Sequence, residues 1–317
     1  MPFVWNEPLS LVEKRVLVTG GHGFLGKHLT RVLHARGAEA LPVGRGDSEL
    51  IDDQDVREMF WRLKPDFVIH AAAVGGGIGW MKEHPATSFS GNVLANTHVL
   101  DVACELGVRR LVGVSSACAY PRDAEQPMRE AQLFGGEPEP TNGPYGWSKR
   151  AMMVHGRALV AEHGFDCAFA VPTNLYGPGE SFDPERSHVV GALVRRFVEA
   201  ADRGDPEVVC WGTGRATRDL LHVADAAEGI VRLLEVGGGP APVNLGSGVE
   251  RSIEAIALAV ASAVGYAGGV RWDTDKPDGM PRKVLDISAM RARTGWAPAC
   301  DFSLGLQETV ACFRSSR

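Results

Sequence analysis

Tyr145 and Lys149 stand four residues apart at the start of a stretch with helical patterning, so the two side chains share one helix face. A free tyrosine, with a pKa of about 10, is a poor acid–base group at neutral pH until a neighbouring cation stabilises its phenolate. Lys149 is the cation that this spacing supplies. Ser115 and Ser116 close an apolar run at residues 110–114, and the Ser116 hydroxyl can donate to the same carbonyl oxygen that the tyrosine addresses. Ser116, Tyr145 and Lys149 together could polarise a ketone and protonate the alkoxide as hydride arrives from a cofactor. The bland alternative is a core tyrosine beside a surface lysine.

A hydride donor needs a cradle. Gly20, Gly23 and Gly26 lie between a predicted strand at 15–19 and a predicted helix at 24–36 that opens with Phe24 and Leu25. Glycines there permit a tight turn and close backbone approach to a pyrophosphate, which the unpaired N–H groups of the helix start then stabilise. An NAD-selective protein would place an acid after its second strand, for the ribose 2′-hydroxyl. The first charge after residues 39–43 is instead Arg45, which suits a 2′-phosphate, so the expected cofactor is NADP(H). Asp52 reads either as an adenine contact or as the cap of the helix that follows it.

The elements that position these groups alternate. Strands are predicted at 15–19, 39–43, 67–70, 110–114 and 167–171, with helices at 24–36, 54–63, 92–106 and 145–163 between them. This is an α/β pattern, a Rossmann-type doubly wound parallel sheet with a smaller C-terminal α/β substrate lobe. Residues 1–172 form the cofactor domain, with 220–245 returning to it; 173–219 and 246–317 form the lobe. The Pro-rich segments 121–144 and 172–184 sit at strand ends, where loops carry function.

Bulk composition excludes several classes. A hydrophobic share of 44% with 23% charged residues is that of a globular chain, and no apolar run approaches a bilayer span. The net charge of -6 gives no general attraction for nucleic acid. Six scattered cysteines lack metal-site or redox-motif spacing, so no metal is expected and the thiols should stay reduced. Residues 1–11 lack the basic start and apolar stretch of a signal peptide, so the default location is the cytoplasm.

Longer blocks carry a resemblance. They are Ser115-Ser-Ala-Cys-Ala-Tyr-Pro121, Pro140-Thr-Asn-Gly-Pro-Tyr-Gly-Trp-Ser-Lys149, Pro172-Thr-Asn-Leu-Tyr-Gly-Pro178, the segment at 187–189, Trp211-Gly-Thr-Gly214 and the segment at 276–283. From residue 15 to 298 the chain resembles the extended short-chain dehydrogenases/reductases. Within them it is similar to the GDP-L-fucose synthases, which epimerise GDP-4-keto-6-deoxymannose at C3 and C5 and reduce it at C4. Taken alone, Cys118 reads as a small buried residue and His188 as a helix-start residue bonded to backbone. The resemblance implies instead that Cys118 and His188 exchange protons at C3 and C5, beside the hydride-transfer trio. In an extended segment, Cys118 and Ser116 would point the same way.

The resemblance also implies that Ala72, Pro172, Asn174 and Leu175, with Lys149 and His188, border the cofactor. Arg196, Arg218 and Lys283 would meet the nucleotide diphosphate, Trp211 the base or sugar, and Asp278 the substrate. A homodimer would form through the helices at 92–106 and 145–163. Two positions depart from the family pattern: His22 replaces a frequent arginine, and Val74 a frequent lysine or methionine. Open beside this are an epimerase or 4-reductase of a related keto sugar such as a deoxyheptose, an NAD-retaining nucleotide-sugar epimerase, and a non-catalytic cofactor sensor. A sensor would be expected to lose the tyrosine or lysine that this chain keeps.

Overall fold

The computed structural model describes residues 8–183, 187–276 and 278–317; the leader reading of residues 1–11 therefore lies largely outside the described residues. The first half alternates as expected: β1 (Arg15–Thr19), α1 (Phe24–Ala35), β2 (Glu39–Val43), α2 (Asp53–Leu63) and β3 (Phe67–His70). It continues through α3 (Ile78–Glu83), α4 (Pro85–Glu105), β4 (Arg110–Val114), α5 (Gly143–His163) and β5 (Cys167–Pro172). The second half holds β6 (Asn174–Tyr176), α6 (Val189–Arg203), β7 (Glu207–Trp211), β8 (Thr217–His222), α7 (Val223–Val236) and β9 (Pro242–Leu245). It ends with β10 (Glu250–Ser252), α8 (Ile253–Val264), β11 (Gly269–Asp273), β12 (Arg282–Lys283), α9 (Ser288–Thr294) and α10 (Phe302–Ser315).

Six parallel strands form the main sheet in the order β2-β1-β3-β4-β5-β9. The chain leaves β1 toward β2 on one side and returns to β3 on the other. The carboxyl ends of β1 and β3 therefore flank a switch point, the crevice where such sheets bind ligands. Because successive residues face opposite sides, Leu17, Val68, Leu111 and Phe169 pack under α2, α4 and α5, while Val16, Ile69, Val112 and Ala170 pack under α1 and α7. Met290 of α9 and Trp296 join that second core. A third core gathers α6, α8 and α10 against β7 and β8. No described helix is long and apolar enough to cross a membrane.

One boundary differs from expectation. The helix predicted at 92–106 begins seven residues earlier, with Pro85 in its first turn. Its buried face includes Ser88, Asn92 and Asn96, which blurs the apolar period that would have announced it.

Helix α5 lies close on β5 because Gly156 offers no side chain: a Cβ there would overlap the fully buried Phe169 ring. Alanine improves helix propensity by up to about 1 kcal/mol, but overpacking a filled core costs about 1–3 kcal/mol. Gly156→Ala should therefore lower stability by about 1–2 kcal/mol in urea unfolding. Unchanged stability would show that Phe169 has room to turn aside.

Candidate active site

The turn after β1 forms a tight loop. Gly20 has φ +69°, and a Cβ on Gly26 would overlap the Gly20 carbonyl oxygen, so helix and turn approach as only glycine allows. Gly23 caps α1 with no side-chain bond, and the first turn carries no acid. Its N–H groups thus remain for an anion. Ala72 lies against Gly20 and donates its N–H to Thr19 Oγ1 at 3.3 Å. At the carboxyl end of β4, Ser115 Oγ is buried with no bonding partner among the described residues. This cradle fits a dinucleotide.

Beyond β2, Arg45 is exposed and makes no bond or ion pair among the described residues, which fits a 2′-phosphate contact. His22, in place of the family's frequent arginine, is held 2.9 Å from Asp47, whose carboxylate also accepts from Gly44 N at 2.8 Å. Asp52 caps α2, accepting from Gln54 N at 2.8 Å and Asp55 N at 3.2 Å, the second of its two sequence readings.

A buried polar chain joins cradle to catalytic helix. Asn96 Nδ2 donates to Ser148 O at 3.3 Å, leaving its oxygen to accept from His70 Nε2 at 2.9 Å. His70 Nδ1 must then accept from Thr19 Oγ1 at 2.7 Å. Burial, with the Lys149 charge, pushes the His70 pKa down to about 4, so the ring is neutral in this tautomer. Neither His70 nor Asn96 was singled out from sequence; their signal was polar residues at core positions.

Lys149 is 1% exposed and donates from Nζ to the Val114 carbonyl at 3.0 Å, with its ammonium 5.6 Å from the Tyr145 ring centroid. Burial pushes its pKa down to about 8. The expected lowering of the tyrosine is not what the structure holds. Burial, joined by the Cys118 charge, raises Tyr145 well above the ordinary phenol value, against an opposing hydrogen bond from Ser116. The lysine addresses the ring face and a carbonyl, and desolvation of the phenolate is the larger effect.

The segment carrying Cys118 is also corrected: residues Ala117–Ala119 form a 3-10 turn rather than extended chain. Ser116 caps this turn, its Oγ accepting from Cys118 N at 3.1 Å, so the two side chains remain neighbours by capping. Arg150, buried in α5, clamps the loop through Ala119 O at 2.6 Å and Gly136 O at 2.7 Å. The sulfur receives Asn142 Nδ2 at 3.1 Å and Lys283 Nζ at 3.5 Å. Burial raises the thiol, but the Lys283 charge and the bonds from Ser116, Lys283 and Asn142 outweigh it, leaving the pKa below its ordinary value. Asn142 was not named from sequence, and Lys283, read there as a phosphate ligand, lies against Cys118.

His188 precedes α6 and makes no capping bond with its side chain. Its surface is open, yet it sits in a cleft whose walls desolvate it; burial first and the Lys283 charge second hold its pKa below the usual value. Pro172 ends β5 in the main sheet, and Asn174 and Leu175 begin β6 in the second, half-buried at the switch. Arg196 donates to Val209 O at 2.8 Å, and Arg218 to Thr217 O and Met280 O, each at 2.7 Å. Trp211 is 63% exposed, with the Lys276 ammonium 6.0 Å from its ring centroid. Asp278 accepts from Thr213 N at 2.6 Å and Oγ1 at 2.7 Å, so its carboxylate fastens the turn after Trp211.

The buried lysine has a testable signature. Below about pH 8 the ammonium is charged in folded and unfolded chains alike. Between about 8 and 10.5 only the unfolded chain holds that proton, so stability rises with pH. Relative to Lys149→Met, the wild type should gain up to about 3 kcal/mol across that window in denaturant titrations. A flat difference would mean that the charge is not desolvated.

Comparison with known proteins follows the same lines. The model of the NAD dependent epimerase/dehydratase family matches residues 16–246. GDP-L-fucose synthase 1 of Arabidopsis thaliana is 40% identical over 309 residues, covering 96% of this chain and 95% of that protein. The GDP-L-fucose synthase of Escherichia coli (strain K12) is 35% identical over 311 residues, 95% of this chain and 97% of that protein. A crystal structure of a GDP-L-fucose synthetase from Naegleria fowleri bound to NADP superposes with a TM-score of 0.91 at 27% identity, covering 98% of this chain and 96% of that one. With the glycine cradle at the switch point of its sheet and the Ser116, Tyr145 and Lys149 cluster at the carboxyl end of β4, the chain belongs to the NAD dependent epimerase/dehydratase family and, within it, to the GDP-L-fucose synthases.

Proposed function

We propose that this enzyme converts GDP-4-keto-6-deoxy-D-mannose to GDP-L-fucose by 3,5-epimerisation and NADPH-dependent 4-reduction. The observation that carries the proposal is the convergence of two sets of proton-handling groups on one cleft. Ser116 and Tyr145 form one; Cys118 and His188, both within reach of the Lys283 charge, form the other. A simple 4-reductase needs only the first.

Bound NADPH supplies hydride to C4. Gly20, Gly23, Phe24, Leu25 and Gly26 would hold its pyrophosphate, Arg45 the 2′-phosphate, and Asp52, Ala72, Pro172, Asn174, Leu175, Lys149 and His188 the remainder. We assign residues 1–172 and 220–245 to this cofactor domain. Residues 173–219 and 246–317 form the substrate lobe, with α9 docked on the main sheet. In the lobe, Arg196 and Arg218 would meet the diphosphate, Trp211 would cover the base or sugar, and Asp278 would fix the loop that carries Trp211.

Epimerisation comes first, because only the ketone acidifies C3 and C5. Cys118 takes a proton from carbon, and the C–H electron pair moves into an enolate whose oxygen lies between the Ser116 and Tyr145 hydroxyls. His188 returns a proton to the opposite face; an imidazolium whose pKa is held down is a stronger acid than free histidine. Reduction then needs a proton donor at the C4 oxygen. A tyrosine raised by burial stays protonated at neutral pH and fits that role. Exposed Phe89 and Leu94 on α4 and Val154 on α5 support a homodimer through these helices; the cytoplasm is the location we propose for it.

NADPH oxidation with this substrate, run beside NADH and with NMR of the product, tests the proposal. GDP-L-fucose formed with NADPH supports it; turnover of neither cofactor moves the substrate to another nucleotide-linked keto sugar. Tyr145→Phe should cut reduction about 10²–10⁴-fold while C3 and C5 still exchange with deuterated water. Cys118→Ser should stop the first exchange. Equal loss of both in folded Tyr145→Phe would end the division of roles.

A further inference from the structure

We propose that Lys283 is a positioning residue that sets the charge state of Cys118: its ammonium, fixed beside the sulfur by the pairing of β12 with β8, holds the cysteine as a thiolate ready to act as base. The inference rests on the epimerase role proposed for Cys118 and gives that role a mechanism.

Geometry supports it first. The sulfur accepts from two donors, Asn142 Nδ2 at 3.1 Å and Lys283 Nζ at 3.5 Å, while the neighbouring Ser116 Oγ accepts from Cys118 N at 3.1 Å. An ammonium and an amide N–H both aimed at the sulfur suit an anion better than a thiol. Lys283 is also held from several sides. Its strand pairs with β8 in register with Arg218. Val284 N donates to Gln126 Oε1 at 3.0 Å, Val284 O accepts from Met128 N at 2.8 Å, and Leu285 N reaches the buried Asp219 carboxylate at 3.5 Å. Its neighbour Arg282 turns away to pair with Glu250 at 2.7 Å. Among the described residues, the charged and titratable groups around Cys118 are Lys283 from β12 and Tyr145 from α5, with His188 at the head of α6 facing Lys283.

The proton count closes without a further reactant. The thiolate takes the proton of a carbon beside the ketone; S–H forms as C–H breaks, and the electron pair passes to the enolate oxygen. Loss of that proton to water restores the thiolate, and the ammonium keeps its own protons throughout. The same charge that favours thiolate disfavours imidazolium at His188, so one lysine biases both proton-transfer groups.

The first arm of the test reads the thiol directly and needs no substrate. Alkylation of Cys118 by iodoacetamide, followed on its peptide by mass spectrometry, is measured from pH 5 to 10 in wild type, Lys283→Met and Lys283→Arg. NADPH binding by fluorescence checks that each variant is folded. In wild type the rate should reach its plateau below the pH of an ordinary thiol, which titrates at about 8.5. In Lys283→Met the profile should move to higher pH, slowing alkylation at pH 7 by about tenfold or more, and Lys283→Arg should restore most of it. If the Lys283→Met profile coincides with wild type while the KM for the nucleotide sugar rises, Lys283 is a phosphate ligand alone and the proposal falls. A shifted profile together with unimpaired C3 and C5 exchange in Cys118→Ser would instead keep the lysine–thiol link and overturn the epimerase role.

Discussion

The ammonium of Lys149 is buried beneath the cleft with the Val114 carbonyl as its hydrogen-bond acceptor, and no carboxylate among the described residues forms an ion pair with it. A charge in that position is costly, and the pKa of about 8 records the cost. Its surroundings are arranged to tolerate it. The nearby His70 is held neutral by burial and by the same charge, and the Tyr145 ring offers its negative face. With Lys283 beside Cys118, the site carries positive charge inside a chain whose net charge is -6. Negative charge appearing on sulfur, enolate or alkoxide is thereby favoured where it forms.

Placing these cations depends on the junction between two sheets. The chain leaves the main sheet at Pro172 and enters the second at Asn174, and Thr173 between them bonds to both, through Leu245 O at 2.9 Å and Asp219 O at 3.0 Å. Asp219 is itself buried, yet it accepts from Ser247 N, Ser247 Oγ, Gly248 N and Leu285 N. A carboxylate so engaged fixes β8 against the β9–β10 turn and the segment following β12. The second half of the chain is thus tied to the first at the place where Lys283 meets Cys118.

The Rossmann half was legible because its strands and helices repeat two clear periods, and because Gly20, Gly23, Gly26, Tyr145 and Lys149 act through local spacing. The second half was harder. β10 and β12 have three and two residues, too few for a period to emerge, and their pairing with β8 is set by the long-range contacts of Asp219. The contact between Lys283 and Cys118 spans 165 positions, so no local pattern could assign that lysine to the thiol rather than to a phosphate. Spacing placed Lys149 near the Tyr145 ring, but burial of the phenol, rather than the lysine, decides its shift and reverses the expected direction. Four residues along a helix specify proximity to the ring and say nothing of how much water the phenol loses.

That reversal makes better sense of the chemistry. A tyrosine lowered toward neutrality would suit a dehydrogenase, which must collect a proton from an alcohol; a 4-reductase must deliver one. Burial keeps Tyr145 protonated, and negative charge on Cys118 reinforces it. While the sulfur is a thiolate able to begin epimerisation, the phenol beside it is held back from ionising and can stabilise the enolate by hydrogen bonding. Once the sulfur has taken a proton, only that second contribution is lost, and burial continues to hold the proton on the phenol against the Ser116 bond. On the roles proposed above, the charge that readies Cys118 for carbon-proton transfer also helps to preserve the Tyr145 proton for the reduction that follows.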